Sequence, residues 1–162
     1  MRKKIVVVTG GAGFVGSHLI EELSKNKNLK IYSLDNYSSG SKKNHIKSRN
    51  ISYLKGDIKN INKKLFLIKK KIDCVFHFGE FSRIYQSFAK FESCFETNLV
   101  GTKEVFKFCL DNDIKIIYSA TSASLGNSGS DKNLSPYAFT KSKNLELLEN
   151  LKKWFNFRFE II

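Results

Sequence analysis

The chain has 162 residues, enough for one domain with its own core and too few for two ordinary ones, and at 41% hydrophobic it is not a disordered composition. A formal charge of +13 invites a nucleic-acid reading, but the lysines are scattered, arginine occurs only four times and no apolar run approaches the ~20 residues that span a bilayer, so neither nucleic acid nor membrane is an expected partner. Cys74, Cys94 and Cys109 lack paired spacing and the first apolar run is too short for a secretory signal, which points to reduced thiols in a cytoplasm; no metal site is expected.

The β-branched run from Ile5 to Thr9 predicts a first strand over residues 4–9. It breaks into glycines at 10, 11, 13 and 16, after which Phe14, Val15, Leu19 and Ile20 recur at helical spacing to about Lys25. In that strand–turn–helix context Gly11-x-Gly13-x-x-Gly16 reads as a dinucleotide fingerprint. The glycines let the backbone turn where a Cβ would clash, let the main chain approach a pyrophosphate, and let the helix pack closely on its strand. The N–H groups at the helix start then face the phosphate. A second run, Leu29 to Leu34, ends in Asp35, 19 positions after Gly16, where the fingerprint wants an acid to accept from the adenosine ribose hydroxyls. Such an acid repels a 2′-phosphate, so NAD is expected over NADP, less sharply if the loop carrying Lys42 and Lys43 folds back.

Residues 36–50 are polar and read as a loop, and residues 51–54 as a short third strand. Ile58, Ile61, Leu65 and Ile68 predict one helix over residues 57–70, followed by a buried fourth strand over 74–78. Residues 87–112 read as mainly helical, and 114–119 as a fifth strand. Ser135-Pro136 predicts a capped helix start, continued by Leu145, Leu148, Leu151 and Trp154, with a sixth strand over 157–162. Strands alternating with helices predict a parallel sheet covered on both faces, and residues 1–162 read as one nucleotide-binding domain.

After the fifth strand, Ser119 opens a Ser/Thr-rich stretch that contains Thr121, and Tyr137-x-x-x-Lys141 lies sixteen residues past Thr121. Residues four apart share a helix face. An ammonium near a phenol is expected to lower the phenol's pKa from about 10, so that Tyr137 can exchange a proton with a sugar hydroxyl that Thr121 positions.

With these residues the chain resembles the extended short-chain dehydrogenase/reductase family, closest to its sugar-nucleotide epimerase and dehydratase branch. The resemblance is carried by residues 9–19, Leu34-Asp35-Asn36, Gly56-Asp57-Ile58, Phe76-His77-Phe78, residues 98–102, 118–126 and 135–141. It implies a Rossmann sheet ordered 3-2-1-4-5-6 that binds NAD. Gly10, Gly13, Phe14, Val15 and Gly16 would lie at the pyrophosphate, Asp35 and Asn36 at the ribose, and Asp57 and Ile58 at the adenine. Phe78, Gly79, Glu80 and Ser82 would line the nicotinamide side, with Asn98 and Ser119 placing the cofactor. Thr121, Tyr137 and Lys141 would be catalytic, Tyr137 and Lys141 also touching the cofactor, and the substrate would be a sugar nucleotide, a UDP-sugar first among them. The two long helical regions would pair with their copies in a homodimer.

The departures are informative. Ser122 and Ala123 stand where dehydrating members carry Asp-Glu, which favours epimerisation or simple oxidation and reduction. Leu125 replaces a usual tyrosine, and Glu80 a usual small residue. Family enzymes run well over a hundred residues further and bind the sugar nucleotide there, so a second half supplied in trans is an expectation. An epimerase's cofactor half, a reductase or dehydratase on the same scaffold, and an NAD-binding module without turnover all remain open.

Overall fold

A computed structural model describes residues 2–122 and 127–162. Strands β1 (Lys4–Thr9), β2 (Leu29–Asp35), β3 (Ile51–Lys55), β4 (Ile72–His77), β5 (Lys115–Tyr118) and β6 (Phe159–Ile161) form one sheet ordered β3-β2-β1-β4-β5-β6, with every pairing parallel. The Rossmann order is therefore present. Because β1 pairs with β2 on one side and β4 on the other, the chain reverses direction across the sheet beside β1. That leaves a crevice beyond the carboxyl ends of the strands.

The two-residue period of β1 divides the core. Val6 and Val8 pack on one face with Ile20 of α1 (Phe14–Ser24), Ile31 and Ile51. Val7 points to the other face, into a larger cluster with Val75, Ile116, Phe106 and Leu148. The last two come from α5 (Thr102–Asp111) and α6 (Pro136–Phe155). Ser135 caps α6 by accepting from the Ala138 N–H at 3.0 Å, and Asn156 ends it in the left-handed conformation that Asn tolerates.

One helical expectation is corrected and a second, the mainly helical stretch 87–112, is borne out with a break. Residues 57–70 do not form one helix: a turn over Ile58–Asn60 leads into a single helical turn, α2 (Ile61–Lys64), and a second tight turn covers Lys69–Lys71. Ile58, Ile61 and Leu65 are buried as the stripe requires. The segment lacks the length and the acid–lysine pairs that sustain a helix, and Phe66 and Leu67 turn outward. Residues 84–111 break at Lys90 into α3 (Ile84–Ala89) and α4 (Phe91–Phe95), and a π-helical turn over Glu96–Gly101 then leads into α5.

Candidate functional site

The glycine turn is dictated sterically. Gly10 has φ +69°, and a Cβ there would stand 2.6 Å from the Phe78 carbonyl carbon. At Gly16 a Cβ would stand 2.3 Å from the Gly10 carbonyl oxygen. Gly13, the residue before α1, faces open space apart from the Gly10 carbonyl, and no side chain caps the helix start there. The first-turn N–H groups, which have no partners within a helix, are left toward a ligand. Phe14 and Val15 stand exposed at the rim. This is a cradle into which a pyrophosphate fits.

Asp35, at the end of β2, holds this turn directly. Its Oδ2 accepts from the Ala12 N–H at 2.9 Å and its Oδ1 from the Tyr37 N–H at 2.7 Å. Asn36 donates from Nδ2 to Asp57 Oδ2 at 3.1 Å, tying the ends of β2 and β3, and Ile58 packs beneath Gly79 and Gly101. The loop after Asp35 does fold back. The Ser41 N–H and the Asn44 side chain both donate to the Ala12 carbonyl, and Lys42 Nζ lies 5.9 Å from the centre of the Tyr37 ring.

Asn98, wholly buried in the π-helical turn, grips the opposite wall. It accepts from the Phe81 N–H at 2.7 Å and donates to the Phe81 carbonyl at 3.1 Å and to Thr140 Oγ1 at 3.1 Å. It therefore fixes the stretch from Phe78 to Ser82, whose Ser82 is exposed, from behind. Inserted π turns recur at functional sites because they re-aim a side chain of this kind.

The largest departure from expectation is at Glu80. Its carboxylate, read as lining the nicotinamide side, turns inward, and both it and the Lys141 side chain are about 5% exposed or less. Lys141 Nζ donates to Glu80 Oε2 and to the Ser119 carbonyl. Glu80 Oε1 accepts from Tyr118 Oη at 2.9 Å, Thr102 Oγ1 at 3.0 Å and Asn144 Nδ2 at 3.0 Å. A buried charge persists only when paired and hydrogen-bonded in this way. Beneath the pair, His77 bridges Thr9 Oγ1 at 2.6 Å and Thr102 Oγ1 at 3.0 Å, and burial drives its pKa down to about 4.

At Tyr137 the direction of the pKa departs from expectation. Burial raises its pKa, the first of the influences on it; a hydrogen bond with Thr121 works the other way, and the nearby Glu80 and Cys94 add to the rise. The depressed phenol expected of a Tyr–Lys pair is not what this geometry gives. Tyr118, Thr102, His77 and Asn144 were not singled out from the sequence as site residues. A histidine inside an apolar strand, and an asparagine three residues after Lys141 on the same helix, were the signals available. Ser122 is exposed, while Ala123 and Leu125 lie outside the described residues. Among the described residues no cluster of metal-binding side chains occurs, and no helix is long and apolar enough to cross a membrane.

Comparisons with known proteins accord with this geometry. The sequence model of the NAD dependent epimerase/dehydratase family matches residues 6–162. The chain is 34% identical over 125 residues to a UDP-N-acetyl-alpha-D-glucosaminuronate decarboxylase of Bacillus cytotoxicus, which covers 76% of the chain and 38% of that relative. It is 30% identical over 156 residues to an ADP-L-glycero-D-manno-heptose-6-epimerase of Brachyspira hyodysenteriae, covering 85% and 46%. Among solved structures, a UDP-N-acetylglucosamine 4-epimerase of Methanobrevibacter ruminantium in complex with UDP-N-acetylmuramic acid superposes with a TM-score of 0.85 at 29% identity, over 99% of this chain and 54% of that one. The chain thus spans about half the length of this solved structure, and less of the two curated relatives.

Proposed function

This chain belongs to the NAD-dependent epimerase/dehydratase family, and from that premise we propose that residues 1–162 are the NAD-binding domain of a sugar-nucleotide epimerase. The observation that carries the reading is convergence. The open glycine turn, Asp35, the Phe78–Ser82 wall held by Asn98, and Tyr137 with Lys141 all meet beyond the carboxyl ends of β1, β2, β4 and β5.

In this reading Gly10, Gly13, Phe14, Val15 and Gly16 take the pyrophosphate, and Asp35 and Asn36 take the adenosine ribose. Asp57 and Ile58 border the adenine, and Phe78 to Ser82 with Ser119 line the nicotinamide side. NAD supplies hydride acceptance and return at a sugar carbon. Tyr137 moves the proton of the sugar hydroxyl, and Thr121 orients that hydroxyl. The substrate is a sugar nucleotide, as in the names of the relatives above. Its binding falls to the further portion that relatives of about twice this length possess, covalently joined or in trans. A homodimer through the helical region of residues 87–110 and α6 accords with the exposure of Phe88, Phe91 and Val100 on the first and Trp154 on the second, and sedimentation as a monomer at high concentration counts against it. Calorimetric titration with NAD tests the central claim. Saturable one-site binding is expected, and no binding at millimolar NAD overturns it.

A further inference from the structure

Glu80 occupies a place that the proposed NAD site does not need. It lies in the turn after β4, 61 residues from Lys141, and reaches under the crevice to the one ammonium that a Tyr–Lys pair depends on. Three neutral donors from three elements, Thr102 of α5, Tyr118 of β5 and Asn144 of α6, fill its other oxygen. The Ser119 carbonyl holds the ammonium from a further side. The lysine is thus fixed by a site built for it, with its charge matched where it stands.

We infer that Glu80 is a positioning residue that claims the Lys141 ammonium and cancels its charge, so that Tyr137 stands in the site as a neutral phenol, set to donate a proton rather than to accept one. This rests on reading Tyr137 and Lys141 as the acid–base pair. The groups around Tyr137 agree. Thr121 after β5 hydrogen-bonds the phenol; Glu80 and Cys94 of α4 face it, and Tyr118 of β5 lies within electrostatic reach. Cys94 and Tyr118 are themselves held protonated by burial, and His77 beneath the pair is held neutral. The Glu80–Lys141 pair therefore decides the local field. A phenol donor suits the reductive step, in which a carbonyl carbon gains hydride from reduced nicotinamide while its oxygen gains the Tyr137 proton. The reverse step needs the phenolate and is displaced to alkaline pH.

The test is the ionisation of Tyr137 itself. The six tyrosines are labelled at the ring carbon bearing oxygen, Tyr137 is assigned by its loss in Tyr137→Phe, and each protein is titrated by NMR. The wild-type midpoint should lie above about 10, and Glu80→Gln should lower it by about one pH unit or more. In a Lys141→Met background the same substitution should shift it by less than half as much. A wild-type midpoint below about 10, an unmoved midpoint in Glu80→Gln, or an undiminished shift without Lys141 overturns the inference. The first of these readings needs no variant to fold. Loss of NAD binding with the Tyr137 shifts intact would sink the proposed function and leave this inference standing.

Discussion

His77 Nε2 donates to Thr102 Oγ1 across 3.0 Å, and the direction of that bond is fixed by its neighbours. Glu80 only accepts, so the Thr102 hydroxyl proton goes to Glu80 and its oxygen must receive from His77. The proton then sits on Nε2, and Nδ1 accepts from the Thr9 hydroxyl, whose oxygen takes the Gly79 N–H. Burial keeps the ring neutral, and in that form every donor in the chain has an acceptor.

A pH-dependent stability follows. The His77 pKa of about 4 lies below the ordinary value of 6.5, because burial opposes the charge. On acidification the unfolded chain takes the proton first. The contribution is full above about pH 6.5 and is lost as pH falls toward about 4, up to roughly 3 kcal/mol. Urea unfolding of wild type and His77→Gln should show the wild type losing about 2 kcal/mol more than the variant between pH 7 and pH 5. Parallel losses would place the acid sensitivity elsewhere.

Breaking the Glu80–Lys141 pair from one side should be costly. Glu80→Ala or Lys141→Met strands a buried charge and should destabilise the fold by about 3–5 kcal/mol, enough to unfold a marginal protein. The double variant Glu80→Gln with Lys141→Met removes both charges and should recover most of that loss. A double variant no better than the singles in denaturant melts would show that packing, not charge, sets the cost.

Much of this was legible in the residues. The alternation in β1, the glycine turn and the acid closing β2 are local patterns, and they appear in the structure; the strand order, which the family resemblance implied, appears with them. Glu80 was visible as an unusual residue, but its partner lies 61 positions away, and only the fold brings them together. The single helix expected over residues 57–70 shows the converse: Ile58, Ile61 and Leu65 are buried by packing against the sheet, which does not require a continuous helix between them. Asn98 belongs to a π turn, an insertion that no apolar period announces.

Cofactor choice should follow Asp35. Its carboxylate already receives two backbone N–H groups, and a 2′-phosphate would face that same charge. NAD should bind more tightly than NADP, and Asp35→Asn should narrow the ratio about tenfold while weakening NAD. Because the loop folds back on Ala12, Lys42→Ala should widen the ratio. Titrations at one salt concentration decide this; tighter NADP binding by the wild type would remove Asp35 from the ribose.

Tyr137→Phe separates chemistry from binding. The phenol is half-buried, hydrogen-bonded with Thr121, and one helical turn from Lys141, so its loss removes a proton carrier and little packing. In the protein joined to, or supplied with, the sugar-nucleotide-binding portion, turnover should fall by about 10²–10⁴-fold with NAD affinity within about twofold of wild type. A polypeptide of residues 1–162 alone should bind NAD yet turn over negligibly, because hydride transfer needs the sugar carbon held about 3–3.5 Å from the nicotinamide by a preorganised pocket. Ordinary turnover by residues 1–162 alone would show that the sugar nucleotide needs no further portion. An unchanged rate in Tyr137→Phe would show that the proton leaves by another group, and Thr121, which already bonds the phenol, would be the first to substitute next.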